Sequence, residues 1–230
     1  MDIRVVACDI FGTTVDWYTG VAEQVADLLP GVDAGEFAQR WREKYLPSMD
    51  RVRTGERPWA YLDTLHRESL DELLTELSVD ADEDTRVRLV HAWHRLPAWP
   101  DSPAGLAGIN REYVTAALSN GGFALLTNLV KGLPFDCVLS AELAGTYKPA
   151  SAVYHTAARL LDVAPEQVLM VAAHKWDLDG ARAAGLRTVF VDRPREKGPR
   201  QQADRAEDVD CDLYATDLVD LADQLLRGKR

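Results

Sequence analysis

Val5-Val6-Ala7-Cys8-Asp9-Ile10-Phe11-Gly12-Thr13-Thr14-Val15-Asp16-Trp17 is the stretch that decides how the chain is read. A run of small and β-branched apolar residues ends abruptly in a carboxylate, followed by a glycine and two hydroxyls. Such a run, without polar alternation, predicts a strand buried on both faces of a parallel sheet. In open α/β sheets ligands bind beyond the carboxyl ends of the strands, which is where Asp9 is expected. An ionised carboxylate there is costly unless hydrogen-bond donors surround it. Gly12 relaxes the backbone so that the following N–H groups can turn back on Asp9 or on a bound anion. On this stretch alone, a strand ending in a turn with Asp9 as a cap explains the residues equally well.

Beyond Trp17 the residues from about Thr19 to Leu96 have a helical pattern and nothing like a sheet. Val21–Leu29 has helical spacing and stops at Pro30-Gly31. Ala34–Leu46 is a second amphipathic helix ending before Pro47, and residues 59–77 and 83–95 continue the pattern. Some four helices between one strand and the next are too many for a simple crossover. The block at 16–97 therefore reads as an inserted helical cap. From Pro97 the chain alternates. Strands are expected at Tyr113–Leu118, Phe135–Ser140, Val168–Ala172 and Arg187–Val191, with helices through Lys131, over Ala150–Leu161 and over Asp177–Ala184. Residues 193–209 read as a polar surface excursion, Asp212–Ala215 as an edge strand and Asp217–Leu226 as a closing helix. Alternation with short links predicts the α/β class, a Rossmann-like doubly wound parallel sheet. Its core domain is expected over 1–15 and 98–230, with the helical cap domain at 16–97.

The 230 residues suit one such core with an insertion, and 47% hydrophobic with 27% charged residues is ordinary for a globular protein. A formal net charge of −11 argues against nucleic acid and anionic membrane surfaces as partners. The chain enters a strand at once, without a signal-peptide pattern, and no apolar stretch is long enough to span a bilayer. Cys8, Cys137 and Cys211 are scattered, without metal-ligand spacing. A reduced, cytoplasmic enzyme is expected.

Polar clusters stand at three strand ends: Asp9 with Thr13, Ser119 with Asn120, and His174 through Asp177. Tyr147-Lys148-Pro149 precedes a helix. A parallel sheet brings all four to one rim, where they can form a site. Each has a plainer explanation as well. Ser119-Asn120 suits a helix N-cap, Lys148 a solvated lysine, and Asp177 a cap for the helix through Gly180-Ala181-Arg182.

Asp9-Ile10-Phe11-Gly12-Thr13, Leu118-Ser119-Asn120, Tyr147-Lys148-Pro149 and Asp177-Leu178-Asp179-Gly180-Ala181-Arg182, in this order, resemble the haloacid dehalogenase superfamily. The resemblance spans nearly the whole chain, including the helical insertion after the first motif. Most members are magnesium-dependent phosphatases, which carry a second aspartate two positions after the nucleophile as general acid and base. Here that position is Phe11, which cannot transfer a proton. They also carry a metal-binding carboxylate where this chain has Ala172, and Mg²⁺ needs oxygen ligands. What remains resembles the type II (L-2-)haloacid dehalogenases, which work without a metal or other cofactor.

That resemblance implies the following roles. Asp9 is the nucleophile, displacing halide from carbon to leave an aspartyl ester that water hydrolyses, releasing a 2-hydroxy acid. Lys148 holds Asp9 ionised. Thr13, Ser119 and backbone N–H groups orient the substrate carboxylate, while Asn120 and Arg42 receive the halide. Arg42 comes from the cap; an ordinary helix-face ion pair is its plainer reading, and Arg40 is its competitor. Trp59 matches an aromatic wall of the halide pocket, with cap–core packing as the alternative. Tyr154 matches a tyrosine near the site, with a purely packing role as the alternative.

Well-studied dehalogenases have a serine and an asparagine where this chain has Ala172 and His174. Ala172 cannot position water, but His174 can hydrogen-bond and, with the intrinsic pKa of histidine near neutrality, can activate it. His174 and Asp177 are therefore expected to form the water-handling pair, with a histidine merely held by a helix terminus as the plainer reading. Phe11 and Trp176 leave room only for a short halogenated carboxylic acid, of the haloacetate or 2-halopropionate class. The competing readings are a phosphatase-like or phosphonate-cleaving hydrolase, and a non-catalytic binder of small acids. The resemblance also implies a homodimer.

Overall fold

A computed structural model describes residues 2–227; Met1 and residues 228–230, the extremes of the expected core range, lie outside the described residues. The opening strand is β1 (Val5–Cys8), and it lies inside a six-stranded sheet. The others are β2 (Val114–Ser119), β3 (Cys137–Ser140), β4 (Val168–Ala172), β5 (Arg187–Val191) and β6 (Leu213–Ala215). All pairings are parallel, in the order β3-β2-β1-β4-β5-β6. Val5 is in register with Val114 on one side and Val168 on the other. The chain thus builds outward from β1 in one direction, then returns beside β1 and builds the other way. That reversal opens a crevice at the carboxyl ends of β1 and β4.

Successive side chains of a strand face opposite ways. Val5 and Ala7 enter the larger apolar core, while Val6 and Cys8 enter a smaller one with Leu106, Leu218 and Leu221. Those leucines come from α6 (Ser102–Ile109) and α10 (Leu218–Arg227). Both faces of β1 are therefore covered, and its uninterrupted apolar run is the consequence.

Between β1 and β2, ahead of α6, lie α1 (Trp17–Leu28), α2 (Ala34–Glu43), α3 (Tyr45–Arg53), α4 (Leu62–Glu76) and α5 (Glu83–Val90). The sequence pattern had merged α2 with the start of α3 and stopped both at Pro47. Pro47 instead lies in the first turn of α3, where the missing N–H has no intrahelical partner to lose. Asp16, Asp33 and Asp82 cap α1, α2 and α5 through their carboxylates. The apolar faces of these helices, with Val21, Phe37, Trp41, Leu70 and Leu73, join the same core as Val5 and Ala7.

The remaining helices are α7 (Phe123–Leu129), α8 (Ser151–Leu160) and α9 (Lys175–Ala183). Helix α6 has no clear helical pattern in the sequence, because Gly105 and Gly108 interrupt it. Gly105 is required by packing, since a Cβ there would lie 2.4 Å from the Leu218 carbonyl carbon. The 193–209 segment is not merely a surface excursion, because Arg193 and Glu196 are both buried. Arg193 forms a fork with Asp101, at 2.8 Å for each bond, and donates to the Thr13 carbonyl at 2.9 Å. A polar segment is buried here by pairing its charges, which a local pattern cannot register.

Candidate active site

Gly12, at φ +83°, turns the chain sharply after Asp9 and sends Thr13 back towards it. The Thr13 hydroxyl donates to Asp9 Oδ2 at 3.0 Å and accepts from the Ala173 N–H at 3.0 Å. Thr13 therefore holds the Asp9 loop against the end of β4, and its single O–H serves Asp9 rather than an open space.

Lys148 is wholly buried, its ammonium donating to Asp9 Oδ1 at 2.8 Å, to Asp177 Oδ2 at 2.5 Å and to the Leu118 carbonyl at 3.0 Å. Burial disfavours its charge, but Asp177 and Asp9 outweigh burial and hold it above the ordinary lysine range. Burial likewise opposes ionisation of Asp9, and Lys148 and His174 override it, holding the carboxyl well below the usual carboxylate range. Asp177 goes the other way: burial raises it, and Asp9 adds to the effect, against the pull of Lys148. Tyr154 donates to Asp177 Oδ1 at 2.7 Å, so Asp177 is bonded on both oxygens and faces no free space. Gly180 lets α9 approach this closely; a Cβ there would fall 2.5 Å from Pro149 Cβ and 2.9 Å from the Tyr154 hydroxyl.

The expected pairing of His174 with Asp177 is not formed. His174 is the N-cap residue of α9 in extended conformation, whereas Asp177 lies in the first helical turn and points to Lys148. His174 stands instead between two other carboxylates. Its Nδ1 is 3.3 Å from Asp9 Oδ2, an ion-pair contact without hydrogen-bond geometry, and its Nε2 is 3.1 Å from Glu196 Oε1. Burial opposes the charged ring, but Glu196 and Asp9 prevail and raise its pKa to about 9. Glu196, despite burial, is lowered to about 2, chiefly by His174. It also accepts from Trp17 Nε1 at 2.5 Å.

Asn120 and Ser119 lie at the end of β2, both buried. Ser119 Oγ accepts from the Gly121 N–H at 3.3 Å, and the helix that follows is capped at Gly122, so neither is its N-cap. Asn120 Oδ1 accepts from the Lys148 backbone N–H at 2.8 Å, and among the described residues its buried Nδ2 has no hydrogen-bond partner. The same is true of Arg42 Nη1. The Arg42 guanidinium carbon lies 3.9 Å from the Tyr45 ring centroid and 5.8 Å from that of Phe11. Arg40, by contrast, pairs with Glu76 on the exposed side of α2. Trp59 packs on Tyr147, ring centroids 4.7 Å apart, and does not border the cavity that Arg42 lines.

That cavity, of about 230 Å³, is lined by Arg42, Tyr45, His174, Trp176 and Glu196 among others. Asp9, only 4% exposed, does not line it, but His174, which does, stands 3.3 Å from Asp9 Oδ2. A larger cavity of about 780 Å³ contains none of the strand-end residues, and its His94 is bonded to Asp63 and Asn128. Among the described residues no group of three or more His, Cys, Asp or Glu is arranged to hold a metal ion. With Phe11 and Ala172 where the phosphatases carry carboxylates, the donor set does not suit a hard cation, and the charge between Asp9 and Asp177 is the Lys148 ammonium.

Sequence reasoning passed over Tyr45, Trp17 and Glu196. Tyr45 follows Arg42 closely on a helical pattern and reads as core. Glu196 sits in Arg193-Pro194-Arg195-Glu196-Lys197-Gly198, a charge run that carries no local sign of burial.

A family model for haloacid dehalogenase-like hydrolases matches residues 3–185, from the first strand through α9. The chain is 34% identical over 199 residues to (S)-2-haloacid dehalogenase 1 of Pseudomonas sp. (strain CBS-3), covering 83% of this chain and 85% of that one. A solved L-2-haloacid dehalogenase superposes with a TM-score of 0.92 at 46% identity, covering 97% of this chain and 99% of the other. A solved defluorinating L-2-haloacid dehalogenase gives 0.94 at 43%, covering 97% and 95%. The matched span carries every motif from Asp9 to the α9 arginine in one continuous order. The chain belongs to the haloacid dehalogenase-like hydrolases.

Proposed function

We propose that this protein is a hydrolytic, metal-independent 2-haloacid dehalogenase that converts a short 2-haloacid to the 2-hydroxy acid through an ester on Asp9. The observation that carries the reading is the setting of Asp9: a buried carboxylate paired with the Lys148 ammonium at 2.8 Å, with Asn120 bonded to the Lys148 backbone and Arg42 set against Phe11, each carrying a buried donor that has no partner among the described residues. Ionised oxygen attacks carbon, and unpaired donors await an anion. A 2-haloacid presents both needs, a carboxylate to bind and a halide to receive. Displacement forms the Asp9 O–C bond as the carbon–halogen bond breaks, and the halide leaves with that bond's electrons. Arg42 and Asn120 receive the halide, with Phe11 against the guanidinium. Lys148 keeps Asp9 ionised, positioned in turn by Asp177 and Tyr154, while Thr13 orients the carboxylate. Ser119 and the nearby backbone bind the substrate carboxylate, and Trp59 supports the Lys148 turn through Tyr147. His174 handles the hydrolytic water.

The cavity of about 230 Å³ supports a short acid, since pockets for drug-sized ligands run to about 300–1,000 Å³. The relatives named as (S)- and L-2-haloacid dehalogenases support the chemistry. The proposal includes a core of 1–15 with 98–230 under a helical cap of 16–97, a homodimer and a cytoplasmic setting. Light scattering tests the dimer. The deciding experiment is halide release from chloro-, bromo- and fluoroacetate with EDTA present. Fluoroacetate is included because one solved relative is a defluorinating enzyme. Halide release that disappears in the Asp9→Asn variant is expected. Magnesium-dependent turnover of a phosphate ester without halide release would overturn the reading in favour of a phosphatase.

A further inference from the structure

We propose that Glu196 is a positioning residue for ester hydrolysis, holding the His174 Nε2–H so that Nδ1 is the nitrogen turned to the Asp9 ester. The inference rests on the reading of His174 as the water-handling group. Glu196 lies beyond the residues 3–185 that the family model matches, on the segment following β5. It is 2% exposed, and the fold is arranged around it. Its Oε1 meets His174 Nε2 and Trp17 Nε1, one from the start of α9 and one from the start of α1. Gly12 leaves the room: a Cβ at that position would fall 2.5 Å from Glu196 Oε1. The nucleophile turn and the carboxylate are thus packed as one unit.

An ionised carboxylate only accepts hydrogen bonds, so the His174 nitrogen facing it must carry hydrogen. In the resting site the other nitrogen faces Asp9, also ionised, and the ring between two carboxylates is an imidazolium. Such a ring cannot take a proton from water. Alkylation of Asp9 removes one of the two negative charges, and the ring loses a reason to stay charged. The proton that departs to solvent is the one on Nδ1, because Nε2–H keeps its partner. It is the proton released with the halide in the net reaction. Nδ1 then accepts a proton from water as the water oxygen bonds to the Asp9 carbonyl carbon. The bond from that carbon to the product oxygen breaks, the product oxygen takes the remaining hydroxyl proton, and Asp9 is again a carboxylate beside an imidazolium. The logic is that of a carboxylate orienting a histidine base. The charged groups around the ring are Asp9, Glu196, the Lys148 ammonium beyond Asp9, Arg42, which acts on Glu196, and Asp204, which feels His174.

The test separates the two half-reactions with L-2-chloropropionate. Glu196→Gln keeps the shape and removes the charge. It is expected to release about one equivalent of chloride per active site at near wild-type rate, then to stall. The ester should accumulate as a mass increase of the intact protein, with kcat down on the order of 10²–10⁴-fold. Glu196→Asp, which keeps the charge, is expected to hydrolyse the ester faster than Glu196→Gln. Equal hydrolysis by the two variants, turnover without a burst, or slow chloride release without ester would overturn the proposal. His174→Gln run in parallel isolates the parent reading. If it turns over normally, the role of His174 fails; if it traps ester while Glu196→Gln does not, only the inference about Glu196 fails. Should Glu196→Gln not fold, Asp9→Asn stands in for the neutralised nucleophile. By ¹⁵N-histidine NMR its His174 should titrate below the wild-type value and become the Nε2–H tautomer; the Nδ1–H tautomer would overturn the proposal.

Discussion

Replacing Lys148 with Met leaves the buried carboxylates Asp9 and Asp177 without their shared cation, and the cost can be worked from the site. The side chains of Lys148, Asp177 and Asp9 are 0%, 0% and 6% exposed, so water screens little of the loss. Removing one partner of such a buried pair costs about 3–5 kcal/mol, against which a chain of this size should melt about 6–20 °C lower. Asp177 carries much of the cost because among the described residues it has no second cation, whereas Asp9 keeps His174. Adding Asp177→Asn to Lys148→Met should therefore recover about 1–3 kcal/mol, an interaction of the size seen between residues in direct contact. The asparagine can still accept from Tyr154 and carries no charge to strand. Urea denaturation of wild type, both single variants and the double variant at neutral pH measures the cycle. The pH dependence has a sign as well. An orphaned Asp177 has a folded pKa above its unfolded value, so it favours folding only when protonated. The Lys148→Met deficit is then full at neutral pH and shrinks as pH falls towards about 4. Losses that add within about 0.5 kcal/mol, or a deficit that grows in acid, would refute the charge-pairing argument.

Three further outcomes are expected. His174, raised from 6.5 to about 9, contributes stability that is complete below its unfolded pKa and is lost as pH rises through about 9. The difference in urea midpoint between wild type and His174→Asn should therefore narrow across that window. Tyr154→Phe removes the donor 2.7 Å from Asp177 Oδ1 and should cost about 1–3 kcal/mol, read by thermal unfolding. Arg42→Lys loses the planar group against Tyr45 and should lower kcat/KM for chloroacetate on the order of 10²–10³-fold with little change in melting, whereas Arg40→Lys should leave halide release nearly unchanged.

The order of strands and helices in the sheet region was legible because each strand is a short apolar run bounded by polar strand ends. The runs at Val168–Ala172 and Arg187–Val191 match β4 and β5 residue for residue. The helical insertion was legible as a block but not in its joints. Pro47 signals both the end of one helix and the first turn of another, and only packing selects between them. The gathering of Asp9, Lys148 and Asp177 was legible too, since parallel strands bring their carboxyl ends to one rim.

The amino-acid sequence by itself determined the chemistry available: a carboxylate at the end of β1, a lysine to hold it ionised, and no carboxylate at Phe11 or Ala172. It did not determine which polar groups meet. His174 and Asp177 are three residues apart, yet one faces Glu196 and the other Lys148, because the helix start rotates them to different sides. Glu196 and Trp17 are 179 residues apart and share a hydrogen bond. Local patterning reports the burial that a segment's own composition demands. A charge buried by a remote partner has no such signature, because its desolvation is offset only after the chain has folded. The tertiary structure alone therefore decided that Asp9 and Glu196 stand on either side of one histidine.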